Sequence, residues 1–391
     1  MKNSLIIFDN LYPVIFEGKS AGRRNVENQF LLSSIPGSKV LVPPTGAPFM
    51  GNRTKQEFEA AKRIYLDQEK SVGEEQIEYF DPYKRIEGKL AYVVFQEPTA
   101  RILPFLELSS LPFVFSIYPG GGFAMGEGPA KKAEIISDHQ LKKIARSKMF
   151  RKAIVYHRII FNHLVENKII PEKKLLFING GHVQLARHEV LPKTYFGKDR
   201  DDFNICFVAH RYSRTGECKG YDILVKTARI LLQQSKKFKF HIVGDWDASV
   251  QDLSGIEDNF VFYGKQHKEF FPEFYARMDV ILSPTRKNYP NMGKFDGFPL
   301  VIDAGYCGVA MFVTDPMNQN EEYISGKNIE IITRDKDDIA HRILKYLKKP
   351  KALMKLSKKG QDIVIRTRDR DQHMSQKIEY LRQEMASLDG Q

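Results

Sequence analysis

The stretch VAHRYSRTGECKGYDIL, residues 208–224, sets Arg211 just after an apolar run and Lys219 and Gly220 just before a run with helical spacing. An arginine binds phosphate through two parallel hydrogen bonds, and a lysine supplies a point charge. A helix start adds unpaired backbone N–H groups and the positive end of a dipole. Together these groups suit a diphosphate. Arg214, in the same stretch, fits the plainer reading of a solvated loop of charges, and the residues alone leave both readings open.

A second stretch, GKFDGFPLVIDAGYCG (293–308), places Asp296 beside Gly297 and Pro299, and Asp303 in a run of small and apolar residues. The turn residues predict the start of a helix that Asp296 can cap. Asp303 follows about two turns later, on a half-exposed helix face. The alternative is that both acids accept hydrogen bonds from the hydroxyls of a sugar nucleotide, as carboxylates do with a vicinal diol. A third stretch, SIYPGGGFAMGEG (116–128), has three glycines, Gly120, Gly121 and Gly122, after a strand pattern. Glycine lets a ligand approach the backbone, but this is not the dinucleotide pattern. Glu97, in VVFQEPT, also falls at a strand end, as an acceptor-side acid or a plain surface acid. The ten histidines form no HxxxH or HExxH, so no metal site is expected.

The elements that must position these residues read as short apolar strands alternating with helices. In the second half the strand patterns are FNICFVAH, FKFHIVG, NFVFYG, DVILSP, VAMFVTD and NIEIIT. Helical patterns are GYDILVKTARILLQQ, KEFFPEFYARM, PLVIDAGYCG and KDDIAHRILKYLKK. In the first half, NSLIIFD, KVLVPP, IEYFDP, LAYVVFQ, FVFSIYP, KAIVYH and KLLFING read as strands. The alternation predicts an α/β fold of two doubly wound, Rossmann-like domains facing a central cleft. The polar stretch GKDRDDFN marks the linker. The expected division is 1–197, then 198–365, with a C-terminal helix in 366–391 packing back on the first domain.

The order HR…KG, VGD, FYG, DVILSP, DGFPLVIDA and a strand ending in TD resembles the second domain of retaining glycosyltransferases of family 4, which have the GT-B fold. The resemblance covers about residues 200–360. It implies that Arg211 and Lys219 bind the donor diphosphate, that Asp296 contacts the transferred sugar, and that Asp303 contacts the ribose. It further implies donor contacts at Gly18, Gly244, Gly264, Lys265, Gly297 and Phe298, with Tyr263 to Lys265 along the base. Where related enzymes carry a histidine facing the sugar, Tyr118 and Pro119 stand here. Two departures are visible: both acids are Asp rather than Glu, and six residues separate them rather than seven.

The implied function is a retaining, metal-independent transfer of a sugar from a nucleotide-diphosphate sugar of UDP or GDP type, with no cofactor, to a glycan or lipid-linked acceptor in bacterial surface polysaccharide assembly. Glu97, Tyr118 and Gly120 to Gly122 form the acceptor side. The formal charge of +12 invites anionic partners. The basic stretch 131–152 predicts a helix, with Leu141, Ile144, Ala145 and Met149 on one face, that lies on an anionic membrane; an ordinary helix with a basic outer face is the alternative. Basic residues spread through both halves, without an aromatic-plus-basic motif, argue against nucleic acid. Three cysteines without a CxxC, no signal-peptide pattern and no long apolar run predict the cytoplasm, and the resemblance together with the basic stretch predicts a peripheral position on the membrane's inner face. The rival readings are a sugar-nucleotide epimerase on the same fold and a non-catalytic or anionic-polymer-binding protein.

Overall fold

The computed structural model describes residues 4–16, 18–20, 22–44, 53–289, 293–294, 298–318 and 322–389. The chain divides into two compact units, one mainly of Met1–His182 and Asp371–Gln391, the other of Val183–Pro290 and Lys294–Arg370.

In the first unit seven parallel strands lie in the order Ile77–Tyr79, Lys39–Val42, Leu5–Phe8, Leu90–Val93, Phe113–Ile117, Phe150–Val155, Leu175–Phe177. In the second, six parallel strands lie in the order Phe260–Phe262, Phe238–Val243, Phe203–Val208, Val280–Ser283, Ala310–Val313, Glu330–Ile331. Each sheet starts in its middle, builds to one edge, then crosses over. The order therefore reverses between Leu5–Phe8 and Leu90–Val93, and between Phe203–Val208 and Val280–Ser283. Ligands of such sheets bind outside the carboxyl ends of the strands at these reversals.

The strands are apolar throughout because both faces are covered. In the second unit Phe203, Ile205 and Phe207 join one core layer, whereas Cys206 joins the other. Ile281 and Met311 likewise part from their neighbours Val280, Leu282, Ala310 and Phe312, the two-residue period of a strand. Helices Tyr221–Gln234 and Lys336–Leu347 cover the first layer. Helix Phe298–Tyr306 and part of Pro350–Arg368 cover the second.

Three expectations change. The segment 183–196, expected to close the first domain, belongs to the second unit. Val183 and Leu185 are buried in its core, and the Phe196 amide donates to Asp279 Oδ1 at 3.1 Å. The basic stretch 131–152 is not one helix. Helix Lys131–Ala145 ends before Met149, and Phe150 opens a strand of the sheet. Its inward face is Glu134, Ser137, Leu141 and Ile144. Finally, Pro350–Arg368 forms a long helix that the sequence reading left unassigned.

The last helix, Arg370–Ser387, carries Met374, Ile378 and Leu381 into the first unit's core. There Lys377 Nζ lies 2.7 Å from Glu27 Oε1, both side chains buried. Burial raises the Glu27 pKa, but the Lys377 ammonium and hydrogen bonds from Lys377 and Tyr92 outweigh it and hold the carboxyl below its usual range.

Candidate functional site

The strand Phe203–Val208 runs into Ala209, His210 and Arg211 at the carboxyl edge of the second sheet. The neighbouring strand, Phe238–Val243, runs into Gly244 and Asp245. Asp245 gathers this edge. Its Oδ1 accepts the Arg211 amide at 2.9 Å, and His210 Nδ1 stands 3.8 Å from it. Its Oδ2 is 3.9 Å from Lys265 Nζ, which follows the third strand, Phe260–Phe262. Three strand ends are thus tied through one carboxylate. Sequence reasoning did not single out Asp245. The available signal was an acid directly after a strand-ending glycine, opposite a strand ending in cations.

Gly220 precedes helix Tyr221–Gln234 with a left-handed φ of 86°. A Cβ there would lie 2.2 Å from the Pro284 carbonyl oxygen, so only glycine lets the helix start meet the end of strand Val280–Ser283. The Arg286 amide donates to the Cys218 carbonyl at 3.0 Å. Arg334, a second residue the sequence did not flag, donates from Nη1 to the Pro284 and Glu217 carbonyls at 2.6 and 3.1 Å and from Nη2 to Asp222 at 3.2 Å. The helix N-terminus is therefore fixed at the reversal of strand order. Lys219 is only 6% exposed, with its ammonium 5.5 Å from the Tyr212 ring. The His210 pKa is lowered: burial, joined by Lys265 and Lys219, prevails over the opposing pull of Asp245. The structure thus brings His210, Arg211, Lys219 and Lys265, with Asp245 among them, to one strand edge beside a helix N-terminus; a helix N-terminus with cations near it suits a phosphate.

Gly244 has a reason within the chain: a Cβ would meet the Ala209 carbonyl oxygen at 2.0 Å. Gly264, at φ 68°, faces open space, and its carbonyl accepts the Gly244 amide at 2.8 Å. Tyr263 hydrogen-bonds His241 Nδ1 at 2.9 Å. Asp303 is buried, and its two oxygens accept from the Gln184 backbone and side-chain nitrogens at 2.8 and 2.9 Å. It also lines a small pocket of about 60 Å³ with Val208, Lys268 and Phe271. Phe298 opens helix Phe298–Tyr306. Asp296 and Gly297 lie outside the described residues.

In the first unit the acceptor-side candidates also come together. The Glu97 amide donates to the Gly121 carbonyl at 2.9 Å. A Cβ on Gly122 would lie 2.4 Å from that of Glu97. Glu97 itself pairs with Arg101. Tyr118 stacks on Tyr156, with ring centroids 4.0 Å apart. Gly18 turns a short hairpin, and its carbonyl accepts from Gln68 at 2.7 Å. Among the described residues Glu134, Asp138 and His163 form a group with metal-ligand atoms close together. Those atoms are paired within the protein: Asp138 with His163 at 3.0 Å, and Glu134 with the Gly126 amide at 2.9 Å and with Lys131. They pin the glycine loop to the helix beside it.

Comparison with known proteins bears on this edge. Residues 196–363 match the family model described as glycosyl transferases group 1. The matched residues fall almost wholly in the second unit. No curated protein matches the chain at the sequence level. Among solved structures, sucrose-phosphate synthase from Thermosynechococcus elongatus superposes with a TM-score of 0.66 at 15% identity, covering 99% of this chain and 100% of its own. HepE from Anabaena, in complex with UDP and glucose, gives 0.67 at 15% identity, covering 97% and 99%. WaaG, a glycosyltransferase involved in lipopolysaccharide biosynthesis, gives 0.60 at 12% identity, covering 96% and 99%. At these identities the likeness shows the fold, and the fold is GT-B.

Proposed function

We propose that the protein is a retaining glycosyltransferase that binds a nucleotide-diphosphate sugar on the glycosyltransferase group 1 domain and passes the sugar to a hydroxyl received by the first unit. The observation that carries this reading is the edge built from Arg211, Lys219 and Lys265 around the N-terminus of helix Tyr221–Gln234, inside the matched residues. As the bond from the sugar to the diphosphate breaks, charge grows on the leaving oxygens. Arg211 and Lys219 then bind the transition state more strongly than the ground state. The acceptor oxygen bonds to the sugar carbon on the face the diphosphate leaves, and the departing phosphate takes the hydroxyl proton. Asp296 orients the sugar. Two cations and a helix end neutralise the diphosphate, so the reaction runs without a divalent ion. UDP, present in the HepE complexes, is the first nucleotide to try.

The acceptor in this reading is a glycan or lipid-linked sugar of a bacterial surface polysaccharide, met at the membrane's cytoplasmic face. Ile135 and Ile136 support membrane contact: they are 61% and 52% exposed on helix Lys131–Ala145, next to the exposed Lys131 and Lys132. Exposed apolar residues beside lysines suit an anionic bilayer surface. Among the described residues no helix is long and apolar enough to cross a membrane.

The test is UDP release from UDP-sugars, with and without EDTA. Release unchanged by the chelator is expected. Activity abolished by EDTA and restored by a divalent ion contradicts the metal-independent step. A sugar nucleotide epimerised with no acceptor present identifies the rival enzyme class.

A further inference from the structure

Phe95 has a backbone that suits a glycine. It follows strand Leu90–Val93 and precedes helix Gln96–Leu108 with φ 74° and ψ 158°, a region populated almost only by glycine. The chain holds it there. The Phe95 amide donates to Ser116 Oγ at 3.2 Å, and its carbonyl accepts from Thr99 Oγ1 at 2.6 Å. A bulky side chain kept in such a conformation points to a use for the ring, because a glycine would satisfy the turn at lower cost.

The ring lies where a ligand is expected. Phe95 stands at the carboxyl end of Leu90–Val93, beside Leu5–Phe8, where the first sheet reverses its order. Its ring meets Tyr118 edge-on at 5.5 Å, and the Arg24 guanidinium lies 5.0 Å from its centroid. A Cβ on Gly121 would fall 2.5 Å from the ring, so the glycine run is shaped around Phe95. The ring remains half-buried. Arg24 is not a bare cation: it bonds the buried Asp9 at 2.5 Å and Asn10 at 3.1 Å. A guanidinium neutralised by a carboxylate, next to aromatic rings, favours hydroxyls and C–H faces over a second phosphate.

We propose that Phe95 is a specificity-determining residue of the acceptor side, and that the acceptor presents a neutral, hydroxyl-bearing sugar ring to it. This rests on the glycosyltransferase reading. The test uses the full chain as wild type, Phe95→Ala and Phe95→Gly. Saturation-transfer NMR with UDP present probes methyl glycosides of glucose, galactose and N-acetylglucosamine, and glucose 6-phosphate. A signal from at least one neutral glycoside is expected, several-fold weaker in both variants and weaker for the phosphorylated sugar, with the UDP-induced thermal shift intact in all three proteins. The Gly variant should melt above the Ala variant, since both lose the ring but only Gly relieves the backbone. The proposal is overturned by an unchanged signal in Phe95→Ala, by no signal from any neutral glycoside while UDP still stabilises the protein, or by an Ala variant that melts as high as the Gly variant. A wild type that none of UDP, GDP and ADP stabilises overturns the transferase reading, and this inference with it; if GDP or ADP is the one that stabilises, it replaces UDP in the NMR probe.

Discussion

Both carboxylate oxygens of Asp303 accept from Gln184, a residue 119 positions earlier in the chain. The resemblance assigned this acid to the ribose; the structure gives it a protein partner that joins helix Phe298–Tyr306 to the segment entering the second unit. Removing one side of a buried charged hydrogen bond costs about 1–3 kcal/mol. Asp303→Ala and Gln184→Ala should each lower the urea midpoint, and the double variant should lose less than the sum, with coupling of at least about 0.5 kcal/mol. Strictly additive losses would show that the pair does not act as a brace. The placement of Arg211 after a strand and Lys219 before a helix was legible in sequence, because the apolar run and the helical spacing on either side mark it. The roles of Asp245, Arg334 and Gln184 were not legible, because they come from strand ends and loops that meet only after folding.

At the scale of elements, every strand expected in the two parallel sheets is present, because doubly covered strands write themselves as short apolar runs. Helix Pro350–Arg368 escaped, since its stripe of Leu353, Leu356, Ile363 and Val364 is diluted by lysines and an internal Gly360. The basic stretch was read too long because Met149 continues the helical spacing, while the chain in fact turns at Ser147 and enters the sheet at Phe150. Strand Phe238–Val243 carries a titratable group, His241, held by Tyr263 and Asn204 at 2.9 and 3.2 Å. Burial, reinforced by Arg277 and Arg200, pushes its pKa down to about 4. The unfolded chain binds this proton near pH 6.5, so it takes up more protons than the folded state between those values. Stability is therefore full above about pH 6.5 and falls as pH drops towards 4, by about 2–3 kcal/mol. Urea unfolding across this window should show the loss in wild type and a flatter profile in His241→Gln. Parallel profiles would show that His241 does not carry it.

At the scale of the whole molecule, two doubly wound domains were legible in the alternation of apolar strands and helices, and GT-B in the resemblance of about residues 200–360, whereas the place where the chain changes unit was not. A polar linker suggested residue 198, yet the chain joins the second unit at 183 and returns to the first at 371. What marks these places is burial of Val183, Leu185, Met374 and Ile378, not composition. The proposed location of the reaction also belongs to this scale. The full chain should float with vesicles containing about one third phosphatidylglycerol and release with salt. Ile135→Asp with Ile136→Asp should cut the bound fraction several-fold without changing the melting temperature. Binding that survives this change would move the contact elsewhere on the surface.

The central claim, a donor site at the carboxyl edge of the second sheet, is tested most directly by thermal unfolding with UDP, GDP, ADP and CMP. Wild type is compared with the double variant Arg211→Ala, Lys219→Ala. A nucleotide at a hundred times its dissociation constant adds about 2.7 kcal/mol, a rise of several degrees, on the order of 5 °C. The account predicts that rise with one nucleoside diphosphate and its loss in the variant. No rise with any of the four nucleotides, or an equal rise in the variant, would contradict it.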